Sequence, residues 1–193
     1  MSDPDKVRVS ISYFNEAATV RLPFSRATTM EDVMYELDIL DSSYIGGKTS
    51  IYRGLRAIRN DVFQERHGDR PDVPNYLILV TDGPPNMDVN GTITEAINNQ
   101  IDGNHVILVL IGADLLKGRN YLSLYSIASE PYASNIIAAP DFKELLNKVP
   151  EVVNSLCNGK RFYDLTYKCV FNTLLERKDI NLIVIEIIKT EGY

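Results

Sequence analysis

Two uninterrupted apolar runs constrain the fold of this 193-residue chain more than any other feature of its sequence. Tyr76–Val80 and Val106–Ile111 contain only apolar residues, and each run is far shorter than the roughly 20 residues of a membrane-spanning helix. Short apolar runs without polar alternation are typical of strands that are covered on both faces, as in the centre of a parallel sheet. We therefore expect an α/β protein with helices on both sides of a mostly parallel sheet.

The first part of the chain predicts a hairpin followed by helices. Val7–Tyr13 and Val20–Phe24 alternate between apolar and polar residues around the turn Asn15-Glu16, which indicates two antiparallel strands at one edge of the sheet. Apolar residues at helical spacing then predict helices over Met30–Leu37 and from Ile51. This order indicates a three-layer, doubly wound α/β fold of Rossmann-like type. Further helices are expected at Thr92–Ile101, Leu122–Ala128 and from Asp141, with a short strand at Asn135–Ala138.

Charge and composition narrow the classes of function. A formal net charge of −6 argues against nucleic-acid binding, because the chain has no excess of basic side chains to neutralise phosphates. The polar segment Met1–Lys6 is not a signal peptide, and no segment is apolar enough for membrane insertion. Cys157 and Cys169 are the only two cysteines, so they form either one disulfide bond or two free thiols.

No enzymatic motif stands out. The sequence has no G-x-S-x-G turn and no G-x-G-x-x-G loop, and Gly46–Thr49 matches only the end of a phosphate-binding loop. His67 and His105 have neither a triad partner nor metal-ligand spacing nearby, which indicates structural or solvated roles. No catalytic residue is therefore predicted, and an α/β hydrolase or nucleotide enzyme remains an alternative without a supporting motif.

Five segments in the same order resemble von Willebrand factor A domains, as found in matrix proteins such as the matrilins and collagen type VI. The resemblance extends over residues 3–157 and implies the fold already expected from the pattern of elements. The five segments are Asp3–Val9, Gly46–Leu55, Tyr76–Gly83, Val106–Gly112 together with Ile127–Pro131, and Asp141–Cys157.

One departure from the family is large. Its members open with a strand that ends in Asp-x-Ser-x-Ser and with a first helix, and neither precedes residue 3 here. The chain therefore resembles an N-terminally incomplete member, followed by a C-terminal extension at residues 158–193. Within this extension, Ile180–Ile188 has the composition of a buried strand and could fill the vacant central position, with Glu186 near the metal end. A loosely packed tail, or the start of a following module, is the alternative.

The resemblance also implies a site at the carboxyl ends of the strands. In the family, Mg²⁺ is held there by hydroxyls and carboxylates in a metal-ion-dependent adhesion site (MIDAS), and the partner completes the shell. Thr49 and Asp82 match two of its positions, but the absent Asp-x-Ser-x-Ser loop argues against tight Mg²⁺ binding. Alternatively, Thr49 caps a helix and Asp82 belongs to an ordinary turn. The ligand-binding loops implied by the resemblance contain Gly47, Lys48, Thr49, Asp82, Gly83 and Gly112.

The function that the resemblance implies is protein binding in cell adhesion or in the extracellular matrix, with collagen or another matrix component as the partner. A secreted protein would make Asn90-Gly91-Thr92 a glycosylation acceptor and would allow a bond between Cys157 and Cys169. Because the chain shows no signal peptide, a cytoplasmic location remains open. An intracellular scaffold of the same fold and a fragment without autonomous function are the remaining alternatives.

Overall fold

The computed structural model describes residues 8–43, 48–112, 124–141, 143–145, 147–148 and 183–186. Its six strands form one sheet in the order β2-β1-β6-β3-β4-β5. The strands are β1 Arg8–Phe14, β2 Ala18–Leu22, β3 Asn75–Thr81, β4 His105–Ile111, β5 Ile136–Ala139 and β6 Ile183–Glu186. The helices are α1 Met30–Ser43, α2 Ile51–Ala57, α3 Val89–Ile101 and the single turn α4 Tyr132–Asn135, with a π-helical turn at Ile58–Val62 and a 3₁₀ turn at Glu65–His67.

Strands β3, β4 and β5 form the parallel part of the sheet. Leu77 is paired with Val106 and Leu108 with Ile136, and both ladders run in parallel. From the second residue onward, every residue of β3 and β4 is buried. The two apolar runs are therefore central strands covered on both faces, as the sequence predicted.

The N-terminal hairpin is also confirmed. Phe14 pairs with Ala18 across the β1–β2 turn, and the strands are antiparallel. Within the turn, the Asn15 side-chain oxygen accepts a hydrogen bond from the amide of Ala17 at 3.0 Å. This local bond, which asparagine forms readily in turns, closes the hairpin at the sheet edge.

Strand β6 lies between β1 and β3 and runs antiparallel to both. Glu186 is in register with Arg8 on one side and with Asn75 on the other, where β1 and β3 begin. The expectation that Glu186 would lie near the metal end is therefore wrong. Because β6 runs antiparallel to β3, its last residue lies at the amino edge of the parallel strands, whereas Asp82 lies at the carboxyl edge.

Helix α1 is fixed at its start by a capping box. The hydroxyl of Thr29 accepts a hydrogen bond from the amide of Asp32 at 3.1 Å, and the Asp32 carboxylate accepts one from the amide of Thr29 at 2.8 Å. Hydrogen bonds from the Thr28 hydroxyl and from both threonine amides lower the pKa of Asp32. Further along α1, the buried Glu36 forms ion pairs with Arg21 at 2.8 Å and Arg26 at 3.1 Å, which attach the helix to β2 and the loop after it.

Helices α2 and α3 cover the face of the sheet that carries the main core cluster. Gly54 allows α2 to approach β1, because a Cβ there would lie 2.8 Å from the ring of Phe14. The buried amide of Asn99 donates to the Leu55 carbonyl oxygen at 3.1 Å and so joins α3 to α2. Val33 and Leu37 of α1 are buried apart from this cluster, and α1 packs against β1 and β2. The result is the expected three-layer α/β architecture.

Other predictions are covered only in part by the described residues. Leu124 and Tyr125 are helical within the predicted Leu122–Ala128 helix, whose first two residues lie outside the described ranges. The amide of Glu144 donates to the Asp141 carboxylate at 2.8 Å, a capping contact at the start of the helix predicted from Asp141. Cys157 and Cys169 lie outside the described residues. Among the described helices, none has the length and apolar character needed to cross a membrane.

Candidate functional site

The carboxyl edge of the parallel strands brings Asp82 and Gly112 together. Asp82 follows β3 and Gly112 follows β4, and these neighbouring strands end at the same edge. Gly112 has a φ of +127°, and a Cβ there would lie 3.8 Å from the carbonyl oxygen of Asp82. Its amide donates to the Ala139 carbonyl oxygen at 2.9 Å, which continues the attachment of β4 to β5. Open α/β sheets bind ligands at this edge.

A tight turn presents the Asp82 side chain to solvent. The buried Thr81 hydroxyl donates to the Gly83 carbonyl oxygen at 2.7 Å and lies 3.3 Å from the Gly83 amide. These two contacts fix the backbone on either side of Asp82, and the aspartate itself is exposed. The carboxylate is therefore available to a ligand approaching the carboxyl edge.

Thr49 is attached to the loop that follows β3. Its amide donates to the Asn86 side-chain oxygen at 2.7 Å, and its carbonyl oxygen accepts from the amides of Asn86 at 3.1 Å and Met87 at 3.3 Å. Thr49 thus lies beside the loop that begins with Asp82. Lys48 is exposed next to it, and Gly47 lies outside the described residues.

The alternative that Thr49 caps the following helix is wrong. Helix α2 begins at Ile51, and its N-cap is Ser50, whose hydroxyl accepts a hydrogen bond from the Arg53 amide at 3.3 Å. The residue that caps the helix is therefore Ser50, which follows Thr49 in the chain. The hydroxyl of Thr49 is not needed for capping.

The most connected part of the site is an ion-pair network that sequence reasoning missed. Arg53 Nε donates to Asp88 Oδ2 at 2.8 Å, and the Ser50 hydroxyl donates to the same oxygen at 2.9 Å. Arg53 Nη1 also donates to the Glu16 carbonyl oxygen at 2.6 Å. The network therefore joins the β1–β2 turn, the start of α2 and the end of the loop after β3.

The sequence contains only a weak signal for this network. Asp88 has a φ of +54°, a left-handed conformation that aspartate tolerates better than most residues. Serine followed three residues later by arginine is no recognised capping box, and Arg53 is separated from Asp88 by 35 positions. Only the folded arrangement of α2 and α3 reveals the pairing.

The residues at the carboxyl edge offer few ligands to a metal ion. Thr49 and Asp82 offer one hydroxyl and one carboxylate, and Glu186 lies at the opposite edge. In the part of the chain that the structure describes, no three His, Cys, Asp or Glu residues are placed to hold a metal together. Mg²⁺ prefers near-ideal octahedral coordination by oxygen, and these two positions do not supply a tight site.

The two histidines have structural roles. His67 ends the 3₁₀ turn before Gly68, which has a φ of +97°. His105 opens β4, where its Nε2 lies 2.9 Å from the Asn135 side-chain oxygen and its ring centroid lies 5.2 Å from that of Tyr76. Neither contact is part of a catalytic triad. Asn90, the predicted glycosylation acceptor, is exposed in the first turn of α3.

Comparison with known sequences gives a family and two matrix relatives. The profile of the von Willebrand factor type A domain family matches residues 1–151. The collagen alpha-1(XII) chain of Oryctolagus cuniculus is 30% identical over 116 residues, which is 60% of this chain. Matrilin-2 of Mus musculus is 24% identical over 169 residues, or 86% of this chain. This chain spans only 17% of the length of each relative.

Solved structures support the same fold. Proximal thread matrix protein 1 from the mussel byssus superposes with a TM-score of 0.67 at 25% identity, covering 78% of this chain and 37% of that one. Another structure of that protein, with a zinc-occupied MIDAS motif, has a TM-score of 0.66 at 25% identity, with 78% and 36% coverage. The manganese-loaded Plasmodium vivax TRAP protein has a TM-score of 0.57 at 20% identity, covering 79% of this chain and 60% of that one, and supports the fold alone.

Proposed function

Because the chain belongs to the von Willebrand factor type A domain family, we propose that it is a protein-binding module of extracellular-matrix type and that it has no enzymatic activity. Its relatives support this function, since they include a collagen chain, a matrilin and a byssal matrix protein. The proposed module comprises residues 3–157 together with strand β6, and the proposed location is extracellular. Collagen, or another matrix component, is the proposed partner.

The proposed contact face is the set of loops at the carboxyl edge of the sheet, namely Gly47, Lys48, Thr49, Asp82, Gly83 and Gly112. The observation that carries the proposal is the attachment of Thr49 to Asn86, which joins the loop before α2 to the loop after β3. Loops held together before binding lose less conformational entropy when a partner docks. An exposed Asp82 on a fixed turn is therefore suited to bind a basic side chain or an amide of a protein partner.

We propose that a divalent metal ion contributes little to the binding of the partner. Thr49 and Asp82 would be the residues that hold an ion, and an ion bound there would offer an open coordination position to a carboxylate. One carboxylate and one hydroxyl hold a largely hydrated ion weakly. We therefore propose that the contact face binds its partner through its own side chains.

The test measures binding to immobilised fibrillar collagen by surface plasmon resonance. Asp82→Ala is expected to weaken binding about tenfold, equivalent to about 1.4 kcal/mol. The matched control is Asp72→Ala, which removes an exposed aspartate from the loop before β3, at the opposite edge of the sheet. Both variants are compared in EDTA and in millimolar Mg²⁺.

The outcomes test three parts of the proposal separately: collagen as the partner, the contact face, and the weak binding of metal. No binding by the parent chain would contradict collagen as the partner. Equal affinities of Asp82→Ala and Asp72→Ala would exclude the contact face. A ligand of the native state raises the melting temperature only when its concentration is well above its Kd. Because the proposed metal binding is weak, the melting temperature is expected to be the same in EDTA and in Mg²⁺. A higher melting temperature in Mg²⁺ would reveal a tighter metal site than Thr49 and Asp82 supply.

A further inference from the structure

A polar groove runs along the outer side of α2, next to the start of α3. Its volume is about 390 Å³, within the usual range for ligand sites, and it opens to solvent. We call it the α2 groove. It is lined by Tyr52, Arg53, Arg56, Ala57, Asn60, Asp61 and Asp88.

Tyr52 and Arg56, which line the α2 groove, contact each other. Arg56 Nη1 donates to the Tyr52 hydroxyl at 2.9 Å, and the guanidinium carbon lies 5.9 Å from the centroid of the Tyr52 ring. The ring rests against Gly91, where a Cβ would lie 2.8 Å from Tyr52 Cδ2. Gly91 therefore leaves space for the ring, and the ring orients the guanidinium.

Arg56 differs from Arg53 on α2 and from Arg59 in the π-helical turn that follows, in how its charge is balanced. Arg53 is paired with Asp88 at 2.8 Å, and Arg59 is paired with Glu95 at 2.6 Å. Arg56 is exposed, and no ion pair joins it to a carboxylate within the described ranges. A guanidinium has five N–H donors, and the contact with Tyr52 uses one of them.

We propose that the α2 groove binds an acidic side chain of a protein partner, with Arg56 as the residue that contacts its carboxylate. A planar guanidinium fits a carboxylate through two parallel hydrogen bonds, and Asn60 adds an amide to the lining of the groove. Arginine and tyrosine are also the residue types enriched where protein interfaces gain most of their affinity. The choice of a protein as the partner rests on the proposed function, whereas the preference for a carboxylate rests on the groove alone.

The two aspartates of the groove restrict where the carboxylate lies. Asp88 Oδ2 already accepts hydrogen bonds from Ser50 and Arg53, so its charge is balanced. Asp61 lies 4.0 Å from Arg66 in a weak, exposed pair and would repel an acidic group. An incoming carboxylate therefore binds at the Tyr52–Arg56 end.

The experiment is an NMR titration of ¹⁵N-labelled protein with the peptide acetyl-Gly-Glu-Glu-Gly-amide and its glutamine counterpart. Amide shifts at Tyr52, Arg56 and Asn60 are expected to change with the acidic peptide only. Arg56→Gln is expected to weaken binding at least about fivefold, the loss of one charge-assisted contact. Lys143→Gln, which removes an exposed positive charge on the helical segment after β5, is expected to leave the affinity unchanged.

Several results would overturn the proposal. Equal shifts with both peptides would mean that charge is not recognised, and equal losses in Arg56→Gln and Lys143→Gln would mean nonspecific attraction. Arg56→Lys supplies a second check that keeps the charge, and it is expected to lose most of the affinity because a lysine cannot make two parallel bonds. Groove binding without collagen binding would support this site and contradict the proposed partner, so the two failures are distinguishable.

Discussion

Arg53 and Asp88 form an ion pair of 2.8 Å that fastens α2 to the loop after β3. Because Arg53 also donates to the Glu16 carbonyl oxygen, one guanidinium connects three segments that border the carboxyl edge. The pair is partly exposed, with 42% of the Arg53 side chain and 32% of the Asp88 side chain accessible to solvent. Its main effect is therefore to order the loops, with a modest effect on the stability of the whole domain.

A double-mutant cycle tests the coupling of this pair. Arg53→Gln and Asp88→Asn remove the charges, and asparagine keeps the tolerance for a positive φ at position 88. The coupling energy from urea unfolding is expected to be about 0.5–1 kcal/mol. Arg66 and Asp61, 4.0 Å apart and more exposed, form the matched control, whose coupling is expected to be near zero. Equal coupling in the two pairs would contradict the role given to Arg53.

Proline in β6 tests whether the inserted strand holds the sheet together. Val184 is in register with Ser10 on one side and with Leu77 on the other, so its backbone lies between two ladders. Val184→Pro removes a donor from a central strand and is expected to cost about 1–3 kcal/mol from the lost hydrogen bond alone. Val184→Ala keeps the donor and is the control. Identical unfolding midpoints for the two variants would show that β6 contributes little.

Asp69→Asn tests a partly buried charge in the loop before β3. Burial raises the pKa of Asp69, and one of its oxygens has no hydrogen-bond partner in the described structure. A carboxyl whose pKa is raised on folding stabilises the fold below its unfolded pKa, and this contribution is lost as pH rises through the folded value. Asp69→Asn is thus expected to melt like the parent at pH 3 and at a higher temperature at pH 7. A lower melting temperature at pH 7 would contradict the account.

Asn90 gives a test of whether the sequon at the start of α3 can be glycosylated in the folded domain. The residue is exposed in the first turn of α3, and Thr92 completes the acceptor sequence. When the chain is directed through the secretory pathway of cultured cells, it is expected to carry one N-linked glycan. The glycan is detected as a loss of mass on treatment with peptide-N-glycosidase F, and this loss is expected to be absent in Asn90→Gln. Ala17→Thr creates a second acceptor at Asn15 in the hairpin turn and serves as the positive control. Modification at Asn15 without modification at Asn90 would exclude Asn90 as an acceptor.

The sequence predicted the elements whose signals are local. The apolar side chains of β3 and β4 would be exposed to water if these strands lay at an edge of the sheet. Their central position was therefore predictable from composition alone. The hairpin and the start of α1 were equally predictable, because turn and capping residues act on their immediate neighbours. Thr49 and Asp82 were assigned from family resemblance, and their roles in binding remain predictions.

Features that depend on distant pairing were not predictable. An apolar strand buries similar side chains whether it runs parallel or antiparallel, so the pattern of residues 183–186 does not encode its direction, and Glu186 was assigned to the wrong edge. The Arg53–Asp88 pair was missed for a related reason. Charged residues are common on exposed helix faces, and nothing in their spacing selects one partner across 35 positions.

The central position of β6 has a consequence for how the chain folds. Arg8 cannot pair with Glu186 until nearly the whole described chain is available, and pairings between such distant residues make folding slow. Before that moment, the inner edges of β1 and β3 are open to strands from other molecules. During synthesis, aggregation therefore competes most strongly with folding in the interval before residues 183–186 emerge. Chaperones matter most in the same interval.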